Sequence, residues 1–325
     1  MGDREGKPLG MDSTVAVGPT PPAERIAVVA HQRKSLGGGL PELRALIEAE
    51  GHPDPLWYEV PKSRKAPKKV RKALRAGADL ILVWGGDGMV QRCLDAVAAV
   101  VGPDGGSAVT VGIIPAGTAN LLAGNLGIPE DLPEAVRVAL HGPRRRLDLG
   151  EVNGEHFAVM AGAGFDGALM RDADAATKSR LGRFAYVWTG LRHLRDEPVR
   201  VKVRVDGTKW FDAQASCVLF GNVGTITGGI RAFDDAEVDD GYLEVGVATA
   251  EGALQWARTL GRMAVGRSDR SPFVRTVRGR VIKVKFGEPV AYELDGGDRG
   301  TTKRLRVRVV PKAVVVAAPA GDASS

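Results

Sequence analysis

The stretch Ala78-Asp79-Leu80-Ile81-Leu82-Val83-Trp84-Gly85-Gly86-Asp87-Gly88-Met89-Val90 constrains the fold more than any other. A short apolar run bounded by turn residues reads as a strand buried on both faces. After the glycines the period changes: Val90, Leu94, Val97 and Val101 recur at helical spacing. Strand, glycine turn and helix is the arrangement that points backbone N–H groups and a helix N-terminus at an anion. Gly85, Gly86 and Gly88 leave room for a phosphate against the backbone and permit positive φ. Asp87 is the anomaly, because a carboxylate beside a phosphate needs a metal or a transferable proton between them. A plain Gly-Asp-Gly turn is the alternative. The position at the C-terminal end of a buried strand favours the phosphate site.

The first half alternates strands with helices. Strands are expected at 25–30, 56–60 and 109–114, and helices from about Leu40 to Gly51, at Leu121–Leu126 and at Asp131–Leu140. That order implies a parallel sheet covered on both sides. The strand at 109–114 also ends in small residues, Pro115-Ala116-Gly117-Thr118-Ala119-Asn120, so two loops face one crevice at the carboxyl ends of strands. Near Arg144 the pattern turns to β. Asn153-Gly154 between apolar runs at 147–152 and 156–160 is a hairpin signal, and Val199, Val201, Val203 and Val205 alternate with polar residues up to Asp206-Gly207. Further strands are expected at 214–221, 242–248, 273–278, 280–286, 289–294, 304–310 and 312–317, with helical spacing only at 181–194 and 251–265. The fold class is therefore an α/β N-terminal domain with a parallel sheet, followed by a mostly antiparallel β-sandwich domain.

A chain of 325 residues has room for two such cores. The expected boundaries are 25–146 for the α/β domain and 147–309 for the β domain. Residues 1–24, which lack an apolar core, read as a flexible tail or an expression scar rather than a signal peptide. Residues 319–325 read as a second flexible tail. Two cysteines, Cys93 and Cys217, make neither a disulfide framework nor a metal-ligand spacing, so a reducing cytoplasm is the default. No apolar run has the length of a membrane span. The net charge of +6 suits anionic partners without requiring them. Part of it lies between Lys62 and Arg75, where eight of fourteen residues are Lys or Arg. A solvated helix face explains this run first; attraction to anionic headgroups is the functional alternative. No aromatic residues interleave it, which argues against nucleic acid.

The two glycine turns resemble the diacylglycerol kinase catalytic domain family, which includes sphingosine and ceramide kinases, with NAD kinase more distant. The resemblance continues in Arg146-Leu147-Asp148-Leu149-Gly150, Gly164-Phe165-Asp166, Asp239-Asp240-Gly241-Tyr242 and Leu294-Asp295-Gly296, in the family's order. It implies a two-domain kinase fold with the nucleotide in the cleft, and a closing segment beyond about 310 that returns to the first domain. It implies ATP on Gly85, Gly86, Asp87, Gly88, Gly117 and Thr118, with Asn120 close by. It also implies Mg²⁺ on Asp240, the carbonyl of Tyr242 and Glu237. The general base is Asp295 by likeness to bacterial lipid kinases, or Asp87 by likeness to sphingosine kinases. The implied protein is a cytoplasmic, peripherally membrane-associated kinase of a lipid hydroxyl, diacylglycerol or a related lipid, with a homodimer left open. A soluble-substrate kinase of the NAD kinase type and a degenerate non-catalytic member are the rivals. The second is motivated by departures from the family pattern: Ala30-His31 for Asn-Pro, Val60 or Pro61 for Thr, Met89 for Thr, Leu121 for Asp, and Gly297 for the second carboxylate of Asp-Gly-Glu.

Overall fold

The computed structural model describes residues 25–101, 109–164, 198–226, 230–234, 236–250, 255 and 271–320. In the first half, β1 (Ile26–His31), β2 (Leu56–Val60), β3 (Leu80–Gly85) and β4 (Thr110–Pro115) form a parallel sheet in the order β4-β3-β1-β2. Between and after them run α1 (Leu40–Ala49), α2 (Ala66–Arg75), α3 (Asp87–Val101), α4 (Leu121–Asn125) and α5 (Leu132–His141). Strand periodicity divides the apolar residues between two cores. Val29, Val83 and Ile113 face α2 and α3 residues such as Val70 and Val97, while Val28, Leu82, Trp84 and Ile114 face Leu43, Ile47 and Val136. Burial on both faces is why β3 and β4 read as unbroken apolar runs.

The second half is β5 (Arg144–Val152), β6 (Glu155–Phe157), β7 (Met160–Ala163), β8 (Val199–Val205), β9 (Thr208–Ala215), β10 (Cys217–Gly221), β11 (Thr225–Ile226), β12 (Ile230–Arg231), β13 (Leu243–Ala248), β14 (Val274–Gly279), β15 (Val281–Leu294) and β16 (Gly297–Ala317). Its strands pair antiparallel, and the inward residues of β8, β10, β13, β15 and β16 make a third core around Phe157, Phe211, Phe220 and Phe286. β16 joins the two halves. It pairs antiparallel with β15 and β5, then Val315–Ala317 pair parallel with Thr110–Gly112 of β4. Among the described residues, no helix is long and apolar enough to cross a membrane.

Several expected strand boundaries are corrected. The single strand expected at 156–160 is two strands, broken at Ala158 and Val159, whose N–H groups go to a side chain described below. The strand at 214–221 breaks at Ser216, whose hydroxyl donates to the Ala250 carbonyl at 2.6 Å. Conversely, 280–286 and 289–294 are one strand, and 304–317 belongs to one strand that starts at Gly297. Pro289 and Pro311 sit where the ladder shifts register, between Lys285 and Val290 and between Val310 and Val314, positions where a missing N–H is tolerated. Phe165 and Asp166, the helix expected at 181–194 and all but one residue of the helix expected at 251–265 lie outside the described residues.

Candidate active site

β3 and β4 are parallel neighbours with Gly85 opposite Pro115, so the chain leaves both strands side by side. Gly86 alone separates β3 from α3. Its carbonyl accepts from the N–H groups of Met89 (2.8 Å) and Val90 (3.1 Å), so Asp87 and Gly88 are the first turn of the helix. The expected positive φ is corrected: none of Gly85, Gly86 and Gly88 is left-handed, and the residue in that region is Asn120, at φ 48°. The glycines provide space instead. A Cβ on Gly85 would lie 2.6 Å from Met89, and one on Gly86 would lie 2.9 Å from Cα of Gly117. A Cβ on Gly117 would lie 2.3 Å from Cα of Gly86. Gly88 has open space in the direction of its missing Cβ.

Asn120 holds the second turn shut. Its Oδ1 accepts from Gly117 N–H (2.9 Å), and its Nδ2 donates to the carbonyls of Pro115 (3.1 Å) and Gly117 (3.2 Å). Thr118 is exposed at the tip of that turn. Asp87 reaches across from α3 and accepts the Leu122 N–H at the start of α4, at 3.4 Å. Burial raises its pKa against the pull of the N–H groups around it. The two turns thus interlock through backbone contact at Gly86–Gly117 and through the Asp87 carboxylate.

Asp295 and Gly296 form the two-residue turn between β15 and β16, with φ 45° and 75°. Both values are left-handed, as a tight hairpin requires. The Asp295 carboxylate turns back onto the break between β6 and β7. Oδ2 accepts from Ala158 N–H (2.7 Å), and Oδ1 accepts from Val159 (2.9 Å) and Met160 (2.8 Å) N–H groups. Burial pushes its pKa up to about 6 in spite of those donors, and the charge of Asp87 adds to the rise. Asp295, from the second half of the chain, thus lies within electrostatic range of Asp87, from the first.

Glu293, two residues back along β15, carries no sequence motif. Its Oε2 is buried without a hydrogen-bond partner. Burial first, and then the neighbouring Asp295 charge, push its pKa up to about 8. Arg299 is also new. Its guanidinium pairs with Glu155 (Nε to Oε2, 2.7 Å) and folds over Gly297, where a Cβ would lie 2.5 Å from Nη1. Asn222 braces the β6–β7 break from the other side, donating to the carbonyls of Asp148 (2.9 Å) and Ala158 (3.0 Å). Period-two spacing from Asp295 was the one signal that pointed to Glu293; Arg299 and Asn222 had none. On the α/β side, Gln91 of α3 donates to the His156 carbonyl at 2.6 Å and Asp95 accepts from the His156 backbone N–H at 3.0 Å, which fixes α3 against β6.

Of the expected magnesium set, Asp240 and Tyr242 lie beside Arg278. Asp240 Oδ1 accepts from Tyr242 N–H (2.9 Å), its Oδ2 is paired with Arg278, and Glu237 is exposed. Arg278 also reaches Glu244 at 3.2 Å and lies 4.8 Å from the Tyr242 ring centroid. The Arg278 guanidinium thus holds the Asp240 carboxylate, and among the described residues no group of three His, Cys, Asp or Glu side chains is placed to hold a metal ion. Asp148 is a structural anchor: fully buried, it accepts from the backbone N–H groups of Gly241 (2.6 Å) and Lys312 (2.7 Å). The departures at Ala30, Val60 and Met89 are core residues, each 1% exposed or less, so packing has replaced polar contacts there. Leu121 packs partly buried against the core that holds Val60 and Met89, and His31 is half-buried at the end of β1.

A parallel α/β unit with paired glycine turns, completed by a β sandwich, is the fold that diacylglycerol kinases share with NAD kinases. A solved diacylglycerol kinase from Bacillus anthracis superposes with a TM-score of 0.67 at 19% identity, over 91% of this chain and 97% of that one. An NAD kinase from Archaeoglobus fulgidus, solved in complex with ATP, superposes at 0.50 and 11% identity, over 90% and 93%. The diacylglycerol kinase catalytic domain family matches residues 39–152, and the YegS C-terminal NAD kinase beta sandwich-like domain matches 159–318. A Pseudomonas aeruginosa protein named "probable lipid kinase YegS-like" is 30% identical over 303 residues, 92% of this chain and 96% of its own. A diacylglycerol kinase of Bacillus subtilis is 28% identical over 67% of this chain and 71% of its own. The chain belongs to the diacylglycerol kinase and YegS-like lipid kinase family.

Proposed function

We propose that this protein transfers the γ-phosphoryl group of ATP to the hydroxyl of a lipid, with diacylglycerol the first acceptor to test. The observation that carries this reading is the interlocking of the two glycine turns at Gly86 and Gly117, with the Asp295 carboxylate held at the β6–β7 break within electrostatic range of Asp87. The α3 N-terminus and the exposed tip at Thr118 supply donors for the nucleotide phosphates. Open space at Gly88 lets a phosphate oxygen approach the first turn of α3. The magnesium that accompanies ATP arrives with the nucleotide as part of the substrate. Asp295 takes the acceptor proton. Its Oδ2 accepts one hydrogen bond and keeps a lone pair, and its raised pKa makes it a stronger base than an ordinary aspartate while still ionised at neutral pH. The acceptor oxygen then forms a bond to the γ-phosphorus, the bond from phosphorus to the bridging oxygen breaks, and ADP leaves. Asp87 organises the two turns and takes no proton. Radiolabelled ATP supplied with dispersed short-chain diacylglycerol, sphingosine and NAD tests the reading. Label in a lipid supports it, label in NAD selects the soluble-substrate alternative, and no label in any acceptor selects the non-catalytic one.

A further inference from the structure

The outer face of β8, β15 and β16 carries a block of cations that the candidate site does not use. In β8, Val201, Val203 and Val205 face the core, which turns Lys202 and Arg204 outward. In β15, Ile282, Val284 and Phe286 face in and Lys283 and Lys285 face out, and in β16 Leu305 and Val307 face in and Arg304 and Arg306 face out. Strand register sets these six in rows. Lys283 stands between Arg204 and Arg306, and Lys285 stands between Lys202 and Arg304. Neighbouring strands lie about 4.8 Å apart and same-face residues about 6.8 Å apart, so six like charges form a compact array on one sheet face.

Such an array opposes folding, because like charges directly across a ladder repel. Its acidic neighbours sit at the rim. Asp212 pairs with Arg200 (2.7 Å) and Lys209 (2.9 Å) and lies 3.8 Å from Lys202, while Glu151 pairs with Arg308 (2.6 Å). Arg204 donates to the Gly207 carbonyl. Among the described residues, Lys283, Lys285, Arg304 and Arg306 have no acidic partner. By contrast, Lys69 and Lys72 of α2 lie over the Tyr58 ring, at 5.6 and 5.3 Å, on a curved helix surface.

We propose that this sheet face docks the protein on an anionic membrane. Clustered positive charge on one sheet face complements the negative surface of anionic headgroups. None of the six positions holds the aromatic residue that stacks on single-stranded nucleic acid, and the array spans three strands, wider than the two-stranded ribbon that enters a major groove. β15 and β16 also run on from the array into the Asp295–Gly296 turn, so the same ribbon that meets the bilayer carries Asp295. The proposal rests on the lipid-kinase reading in taking the acceptor from a bilayer.

The test is co-sedimentation of the full chain with vesicles of phosphatidylcholine alone or mixed equally with phosphatidylglycerol. Wild type binds the mixed vesicles, and added salt weakens the binding. The variant Lys283→Thr/Arg306→Thr, with residues suited to exposed strand positions, binds about 25-fold more weakly, at about 1 kcal/mol per basic residue. It melts no lower than wild type, since repulsion has been removed. Undiminished binding by this variant overturns the proposal, as does an equal loss from Lys68→Gln/Arg71→Gln on α2. Tighter binding of a DNA duplex than of mixed vesicles at the same salt also overturns it. Phosphorylation of dispersed short-chain diacylglycerol reads the kinase proposal separately, and the array variant keeps it. A wild type that docks through the array yet phosphorylates no lipid overturns the kinase reading and leaves the docking face standing.

Discussion

The Cα atoms of Gly86 and Gly117 face each other so closely that a methyl group on either would meet the other's backbone, at 2.9 and 2.3 Å. Two phosphate-loop candidates are therefore also a packing contact, and their glycines separate into two kinds. Gly117→Ala and Gly86→Ala lower the melting temperature, because backbone cannot yield as a flexible side chain does. Gly88→Ala melts at or above wild type, since alanine in a helix is favoured over glycine by about 0.5–1 kcal/mol. Yet it loses about ten-fold in ATP affinity, near 1.4 kcal/mol, by filling the phosphate space. Calorimetry with ATP beside thermal melts checks both halves. Unchanged affinity in Gly88→Ala places the phosphates elsewhere.

Turnover should rise with pH through a limb near 6 and then level, because Asp295 must be ionised to accept a proton and its pKa stands at about 6. Asp295→Asn loses that limb and about 10²–10⁴-fold in turnover. An asparagine amide cannot accept from the Ala158 N–H while its oxygen serves Val159 and Met160, so the variant also loses about 1–3 kcal/mol of stability. The pH profile, which a purely structural role would not shape, is the deciding measurement. A limb that persists in the variant moves the base to another group.

Glu293 makes the protein's stability fall as pH rises. Its pKa is raised from the unfolded value of 4.5 to about 8, so between those values the unfolded chain releases a proton that the folded chain keeps. Glu293→Gln imitates the neutral carboxyl. Its stability should match wild type near pH 4 and exceed it increasingly up to pH 9, as followed by urea unfolding across pH. Parallel stability curves for the two proteins would show that Glu293 ionises normally.

Asp240→Ala should cost about 1 kcal/mol in stability, through loss of the Arg278 pair and the Tyr242 N–H contact, both partly exposed. It should leave the magnesium dependence of ATP turnover unchanged. A shift of that dependence to higher magnesium would restore the carboxylate as a metal ligand and make Arg278 its occupant only when the metal is absent.

Local chemistry carried the reading of the fold far. Buried strands and the hairpins at Asn153-Gly154 and Asp206-Gly207 each rest on a few adjacent residues. The third turn of the same kind, Asp295-Gly296, carries the same local hairpin signal beside its likeness to a family motif. What neighbours in sequence do not encode is which loops meet. The Gly86–Gly117 contact depends on β3 lying beside β4, and the three donors to Asp295 depend on a strand break 135–137 residues away. Met89 read as a lost polar contact because sequence does not reveal that its side chain lies under Gly85.

The strand β16 has a consequence for synthesis on the ribosome. β4 pairs with β3 on one side and with Val315–Ala317 on the other, so its second edge stays unpaired until about 200 more residues have been made. At typical elongation rates that wait lasts about 10–40 s. A bare apolar edge is a template for pairing with other nascent chains. The first half of this protein therefore carries an open sheet edge throughout synthesis, and only the last strand closes it.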